Sequence, residues 1–219
     1  ARSIGHSRAR MEADALADPH IVTALPVLAQ ALRHVGHHQT RNRGTLGGSI
    51  AFAEPAAECP ATALALGAKV QLRSVRGKRI VDMGSFYLGP YASALEPDEI
   101  ITAIDFPDWP DDHIPLFREV TRRPGDFALV GLVGALALEQ GRIAKAGIAW
   151  FGMGPTPVRA HQAEAQLLGS DPATLDIDAL AELALADTAP FDDKAASAAY
   201  RLTVGRKIFA QVLRDAISW

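Results

Sequence analysis

The residues best suited to chemistry form one short segment in the first quarter of the chain. Residues 44–49 read Gly-Thr-Leu-Gly-Gly-Ser, so backbone N–H groups lie among two hydroxyl-bearing side chains, Thr45 and Ser49. Glu54 and Pro55 follow and predict a helix start, because the missing N–H of proline costs little at the first helical position. Backbone donors gathered before a helix N-terminus suit a phosphate or pyrophosphate. The segment therefore predicts a site for a phosphate-bearing ligand.

The same pattern has a plainer interpretation, which these six residues alone leave open. Gly-Gly turns are common, and a single Gly-x-x-Gly-Gly does not separate a ligand loop from an ordinary turn. Glu58 is similarly ambiguous. One turn into the predicted helix, its carboxylate either accepts hydrogen bonds from ligand hydroxyls or is a plain surface acid.

A longer stretch is more specific. Residues 39–49, Gln-Thr-Arg-Asn-Arg-Gly-Thr-Leu-Gly-Gly-Ser, with Glu-Pro-Ala-Ala-Glu at 54–58, resemble the flavin-binding signature of the molybdenum hydroxylases. That family includes xanthine dehydrogenases, carbon monoxide dehydrogenases and bacterial N-heterocycle hydroxylases. Leu-Glu-Pro-Asp-Glu-Ile-Ile at 95–101 and Arg-Arg-Pro-Gly-Asp-Phe-Ala at 122–128 support the resemblance. It extends over nearly the whole chain and indicates the FAD-binding medium subunit.

The resemblance implies a set of cofactor-binding residues. Matching positions in the glycine segment contact FAD in the family, which carries the role over to Thr45, Gly47, Gly48 and Ser49. Ser49 departs from the Asn or Asp that the family often has, as Phe52 departs from a frequent His and Glu54 from Asp. An acid at the position of Glu58 touches the sugar-alcohol chain of the flavin.

Two more positions follow from the resemblance, each with a structural alternative. The family places an aliphatic residue against one face of the isoalloxazine where this chain has Ile101, which is otherwise an ordinary core residue. It often keeps a basic residue near the flavin ring where this chain has Arg118. A cation there would stabilise a reduced, anionic flavin. The alternative for Arg118 is a solvated strand face.

The implied function is that of a flavin-binding electron-transfer subunit. FAD on this chain would receive electrons from 2Fe–2S clusters on a small partner subunit, after a large partner subunit hydroxylates the substrate with its molybdenum cofactor. The family implies a cytoplasmic dimer of heterotrimers. The alternatives are a structural or assembly subunit without flavin and an unrelated phosphate-binding module.

One family feature is missing from the sequence. Relatives have an earlier FAD subdomain with an Ala-Gly-Gly-x-Ser-Leu loop, and no such string occurs here; Ile4 and Gly5 match a point just after it. The chain also begins without Met, as a fragment or processed chain would. With half of the cofactor clamp absent, we expect this chain alone to bind FAD weakly and to lose flavin on purification.

Composition excludes several classes of protein. A net charge of −3 over 219 residues speaks against a nucleic-acid binder. The single cysteine, Cys59, cannot form an internal disulfide or hold an iron–sulfur cluster alone, and without a basic neighbour it is expected to be buried and inert. The scattered histidines do not indicate a metal site, and no apolar run is long enough to span a bilayer.

Hydrophobic periodicity predicts the elements that position these residues. It predicts an amphipathic helix over 21–35 closed by Gly36, a helix over 55–66, and strands over 68–73 and 100–106. Strands are expected at 116–122, 127–138 and 143–151, then helices at 162–168, 178–186 and 194–217. The proline-rich stretch 107–115 marks a boundary. The prediction is an α+β protein with an FAD-binding subdomain at 1–108 and a C-terminal domain of antiparallel sheet and helices at 113–219.

Overall fold

The computed structural model describes residues 2–4 and 10–218, with side chains described from Arg10 onward. The predicted junction at Ile4 and Gly5 therefore lies partly outside the described residues. In the first half the elements are β1 Arg2–Ile4, α1 Glu12–Ala17, α2 Pro19–Ala24, α3 Pro26–His34, α4 His38–Arg41, α5 Leu46–Phe52, α6 Glu58–Ala65, β2 Lys69–Ser74, β3 Gly77–Asp82, α7 Met83–Phe86, β4 Tyr87–Gly89, β5 Ala92–Ser93 and β6 Ile100–Phe106. In the second half they are β7 Ile114–Val120, β8 Val130–Glu139, β9 Arg142–Phe151, β10 Val158–Arg159, α8 His161–Leu167, a 3₁₀ turn Pro172–Thr174, α9 Ile177–Leu185 and α10 Ala198–Ile217.

Two four-stranded antiparallel sheets and a two-stranded one, β4-β5, confirm the predicted α+β class. The first has the strand order β1-β6-β2-β3, and the second has the order β10-β9-β8-β7. Strand β2 buries Val70 and Leu72 on one face, as their alternation predicts. A register shift between Gln71 and Leu72 marks a bulge opposite β6.

The single helix predicted over 21–35 is wrong. Helix α2 ends at Ala24 and α3 begins at Pro26, with Leu25 between them in a non-helical conformation. Pro26 has no N–H to continue the ladder, and its ring disfavours helical backbone at the residue before it. Gly36, with φ +46°, follows the end of α3 in the left-handed conformation expected after a helix terminus.

The three C-terminal helices are confirmed with small changes at their ends. Helix α10 begins at Ala198 rather than 194, because the Ser197 hydroxyl accepts a hydrogen bond from the Tyr200 N–H at 3.1 Å and caps the helix. In α10, Ile208 and Val212 are buried, whereas Tyr200 is 43% exposed.

Two hydrophobic cores lie on opposite faces of the second sheet. Val133 and Ala135 of β8 pack with the N-terminal helices, whereas Leu132 and Leu136 pack with the C-terminal helices. All eight residues of α6 are buried, and this helix packs on β8 and β9. The division into domains at 1–108 and 113–219 stays a prediction. No helix in the described ranges is both long and apolar enough to cross a membrane.

Candidate functional site

Most of the glycine-rich segment forms the start of helix α5, rather than a turn that precedes a helix. Thr45 is the N-cap residue, and its hydroxyl accepts a hydrogen bond from the Gly48 N–H at 3.0 Å. The Ser49 N–H donates to the Thr45 carbonyl at 2.9 Å. The glycines form the first helical turn because the Thr45 cap satisfies the Gly48 amide and Leu46 and Ile50 are buried in the core. Two of the expected free amides are therefore used within the helix.

The acid of the motif begins the next helix and is buried. Glu58 is the first residue of α6 and only 3% exposed. The predicted helix start at Pro55 is wrong, because Pro55 lies in a turn before α6. The Glu54 side chain holds this turn by accepting from the Ala56 N–H at 3.1 Å. The Gly152 N–H donates to the Pro55 carbonyl at 3.0 Å and ties the turn to the second sheet.

A cavity of about 570 Å³ lies between these helix starts and the loop before β8. It is lined by Glu12, Val35, Gly36, Thr40, Arg43, Gly44, Thr45, Gly48, Ser49, Phe52, Ala57, Glu58, Gly125, Asp126 and Phe127. Four predicted residues, Thr45, Gly48, Ser49 and Glu58, are thus brought together. Another cavity, of about 470 Å³, lies beside α7 and β10 and contains none of the predicted residues.

The remaining three predicted residues do not line the cavity. Gly47 faces Ile101, whose Cγ2 lies 3.8 Å from the position that a Cβ on Gly47 would occupy. Arg118 is exposed on β7 and shares the sheet face of Leu116 and Val120, which pack towards the C-terminal helices. The neighbouring Glu119 points to the opposite face. Contacts of Gly47, Ile101 and Arg118 with a flavin stay predictions.

Buried carboxyl groups dominate the electrostatics of the cavity. Chiefly through burial, the pKa of Glu58 is raised from 4.5 to about 8; a hydrogen bond from its own backbone N–H acts against the shift, and the negative charges of Glu119 and Glu12 contribute to it. Burial also raises the pKa of Glu12, opposed by the charge of Arg41, and that of Glu119, opposed by His34. Glu58 is therefore protonated at neutral pH and can donate as well as accept a hydrogen bond.

Cys59 lies next to this group and is buried, as predicted. Burial raises the pKa of its thiol well above the usual value, and the charges of Glu12 and Glu58 act in the same direction. A thiol in this environment stays protonated and unreactive. Residues 10–218 contain no group of three or more acidic, histidine or cysteine side chains arranged to hold a metal ion.

The structure adds residues that sequence reasoning missed. Arg43 lines the cavity and is exposed, so it brings a positive charge to the rim. The sequence could have indicated Arg43, because it lies inside the motif at 39–49. Glu12 had no signal: it reaches the cavity only because its N–H donates to the Gly44 carbonyl at 3.0 Å. Phe127 lies in the motif at 122–128, for which the family resemblance implies no contact by this residue.

A buried arginine fixes the chain that follows the cavity wall at 125–127. Arg201 of α10 is 3% exposed and donates to the carbonyls of Leu129 and Gly152, the latter at 2.9 Å. Its guanidinium also pairs with Asp193 at 2.7 Å. A cation buried with this many partners fixes the chain that it bonds. Helix α10 thereby anchors the segment between the cavity wall and β8.

A cavity lined by hydroxyl and carboxyl groups beside two helix starts is typical of proteins that bind a nucleotide cofactor. Two family models match the chain: the FAD binding domain in molybdopterin dehydrogenase over residues 7–109, and the CO dehydrogenase flavoprotein C-terminal domain over residues 116–216. The chain belongs to the molybdenum hydroxylase family, as an FAD-binding medium subunit.

Individual relatives agree with this assignment. The chain is 36% identical to the 6-hydroxypseudooxynicotine dehydrogenase complex subunit alpha of Paenarthrobacter nicotinovorans, over 88% of this chain and 66% of the relative. It is 34% identical to the nicotine 6-hydroxylase medium subunit of the same organism, over 90% and 69%. A solved carbon monoxide dehydrogenase from Hydrogenophaga pseudoflava matches with a TM-score of 0.92 and 30% identity, over 99% of this chain and 75% of that one. The chain thus spans about two thirds of the first two relatives.

The two central glycines of the motif are expected to respond differently to a methyl group. A Cβ on Gly48 would lie 2.9 Å from the Thr45 hydroxyl and beside the cavity, whereas one on Gly47 would make ordinary contact with Ile101. Gly48→Ala should weaken FAD binding about tenfold through the displaced cap and lost space. Gly47→Ala should leave affinity unchanged and stabilise α5 by up to about 1 kcal/mol.

Fluorescence titration of the flavin-depleted native complex measures both affinities, and thermal unfolding measures both stabilities. Equal losses of affinity in the two variants would contradict the expectation and instead support the contact with FAD that the family resemblance implies for Gly47.

Proposed function

We propose that this chain binds FAD in the cavity beside α5 and α6 and is the electron-transfer flavoprotein subunit of a molybdenum hydroxylase. The observation that carries the proposal is the convergence of Thr45, Gly48, Ser49 and Glu58 on one cavity, in a chain of the FAD-binding family. These residues lie at the starts of two helices, α5 and α6. A different backbone turn holds each start in place.

The chemistry of the lining fits parts of FAD. The hydroxyls of Thr45 and Ser49 and the carboxyl of Glu58 match the hydroxyls of a sugar-alcohol chain. Arg43, at the rim, is the lining residue with a charge suited to the pyrophosphate. One oxygen of Glu12 is buried without a hydrogen-bond partner among the described residues, as expected of an acceptor that a ligand completes.

When bound, FAD supplies two-electron redox chemistry to the complex. The residues of this chain bind and orient it. Glu58 is kept protonated by burial, so it can donate to a ligand oxygen without placing a full negative charge beside the phosphates. Phe52 and Phe127 add apolar surface to the cavity lining, and both are more than half exposed.

The other redox centres belong, in this proposal, to partner chains. One cysteine in 219 residues cannot ligate an iron–sulfur cluster alone. A small subunit with 2Fe–2S clusters and a large subunit with the molybdenum cofactor would pass electrons to FAD and on to an external acceptor, in a cytoplasmic dimer of heterotrimers. The substrate would be chosen on the large subunit. The relatives are named for different substrates, which supports this division.

Isolation of the native complex tests the proposal. We expect an iron–sulfur chain and a molybdenum-containing chain to co-purify with this one, together with a flavin visible spectrum and FAD released on denaturation. A complex that contains both partners but no flavin would contradict FAD binding and support an assembly role instead. A phosphate probe that binds where flavin does not would favour the unrelated phosphate-binding module.

A further inference from the structure

Glu12 is a buried acid that faces the cavity with an unused oxygen. It begins α1, is 3% exposed and lines the cavity. Its Oε2 has no hydrogen-bond partner among residues 10–218. This oxygen lies 2.6 Å from the position that a Cβ on Gly44 would occupy, and Gly44 also lines the cavity. The unpaired oxygen therefore lies beside the backbone of Gly44, in space that a side chain at residue 44 would occupy.

The backbone around Glu12 is fixed, so this position is not an accident of a loose side chain. The Glu12 N–H donates to the Gly44 carbonyl at 3.0 Å, and the Leu46 N–H donates to the Arg10 carbonyl at 3.1 Å. Met11 and Thr45 form an antiparallel bridge between these two bonds. The start of α1 is thereby locked to the segment that leads into α5.

Among residues 10–218, no cation pairs with the free oxygen. Arg41 is the positive group whose charge acts on Glu12, but its guanidinium donates to the carbonyls of Val35, at 2.9 Å, and Gly36, at 3.2 Å. A buried acceptor without a partner destabilises the folded state, and proteins rarely keep one without a use for it. The use that the cavity offers is a ligand.

We propose that Glu12 is a cofactor-binding residue, whose free carboxyl oxygen accepts a hydrogen bond from a neutral donor of the bound cofactor. This inference rests on the proposed function. A hydroxyl of the sugar-alcohol chain and the amino group of adenine share this donor chemistry. A phosphate does not, because it has no proton to donate at neutral pH. Gly44 is required in the same arrangement, since any Cβ would displace the Glu12 side chain.

The test compares Glu12→Leu with Glu119→Leu in the flavin-depleted native complex. Glu119 is a matched control, because its Oε2 is also buried and unpaired and its side chain is 7% exposed, but it does not line the cavity. Binding of FAD, riboflavin and ADP is measured by titration, and the melting temperature is measured without ligand. Glu12→Leu should weaken FAD binding about tenfold, and Glu119→Leu should change it less than about twofold.

The stability readout separates a binding role from a structural one. Because Glu12→Leu removes an unpaired buried oxygen, the ligand-free melting temperature should stay equal or rise while affinity falls. A parallel loss for riboflavin would assign the donor to the sugar-alcohol chain, and a parallel loss for ADP would assign it to the adenylate half.

Two results would overturn the inference. One is unchanged FAD affinity in Glu12→Leu; the other is a fall in ligand-free melting temperature that accounts for the loss of affinity, with Glu12→Gln restoring neither. A wild-type complex that binds none of the three ligands would overturn the proposed function itself, and this inference with it.

Discussion

Gly147→Ala is expected to destabilise the protein by about 3 kcal/mol or more, a large part of the stability of an ordinary domain. A Cβ on Gly147 would lie 2.2 Å from the Ala65 carbonyl oxygen and 3.2 Å from Cζ2 of Trp109. The first contact is with backbone, so no rotamer change relieves it. The end of α6 cannot shift easily either, because the Trp109 indole N–H donates to the Leu66 carbonyl at 3.3 Å.

Urea denaturation measures this loss as a lower midpoint at an unchanged slope. Gly84→Ala is the matched control: a Cβ there would meet no atom within 4 Å, and the glycine does not adopt a positive φ. Its free energy of unfolding should stay within about 0.5 kcal/mol of the wild-type value. If the two variants had the same free energy of unfolding, α6 would not pack on β9 as closely as the structure shows.

Local signals predicted the type of most elements, and non-local packing decided their boundaries. The strands over 68–73 and 100–106 follow from alternation alone. The prediction of one helix over 21–35 was wrong because the apolar spacing continues across Pro26, whereas the helical backbone is interrupted before it. The interpretation of residues 44–49 as a turn was wrong for the opposite reason. Its glycines disfavour a helix, but the cap at Thr45 and the burial of Leu46 outweigh their low helix propensity.

The candidate site shows the same division between local and non-local information. Its motif residues were recognisable from their types and spacing. Glu12 was not, because it reaches the cavity through a bridge between distant segments, for which no single stretch of sequence carries a pattern. The direction of Arg118 was also beyond local reasoning. Its face depends on the register of β7 against β8, where Arg118 lies opposite Leu132.

The last expectation concerns pH and follows from the burial of Glu58. Its pKa in the folded state is about 8, against 4.5 for the unperturbed group. Between these values the folded protein keeps a proton that the unfolded chain has lost. The contribution of Glu58 to stability is therefore fully present below pH 4.5 and is lost as the pH rises to about 8. Each unit of pKa difference corresponds to roughly 1.4 kcal/mol, so the total reaches several kcal/mol.

Other acids with shifted pKa values either add to this pH dependence of stability or act at a different pH. The raised pKa values of Glu12 and Glu119 act in the same direction. Glu99 has a pKa lowered to about 2, chiefly by its hydrogen bond from Arg79, so its effect is confined to more acidic solutions. Between about pH 5 and pH 8, stability without flavin should fall with rising pH, and Glu58→Gln should flatten that slope because an amide does not titrate.

Free energies of unfolding from urea titrations across this range measure both slopes. Glu182→Gln is a suitable control, because Glu182 is an exposed acid in an ion pair with Arg206 and its pKa is lowered rather than raised. Its slope should match that of the wild type. Equal slopes in Glu58→Gln and wild type would mean that Glu58 is ionised in the folded protein. The cavity would then present a negative charge to the phosphates, rather than a neutral acid that can donate a hydrogen bond.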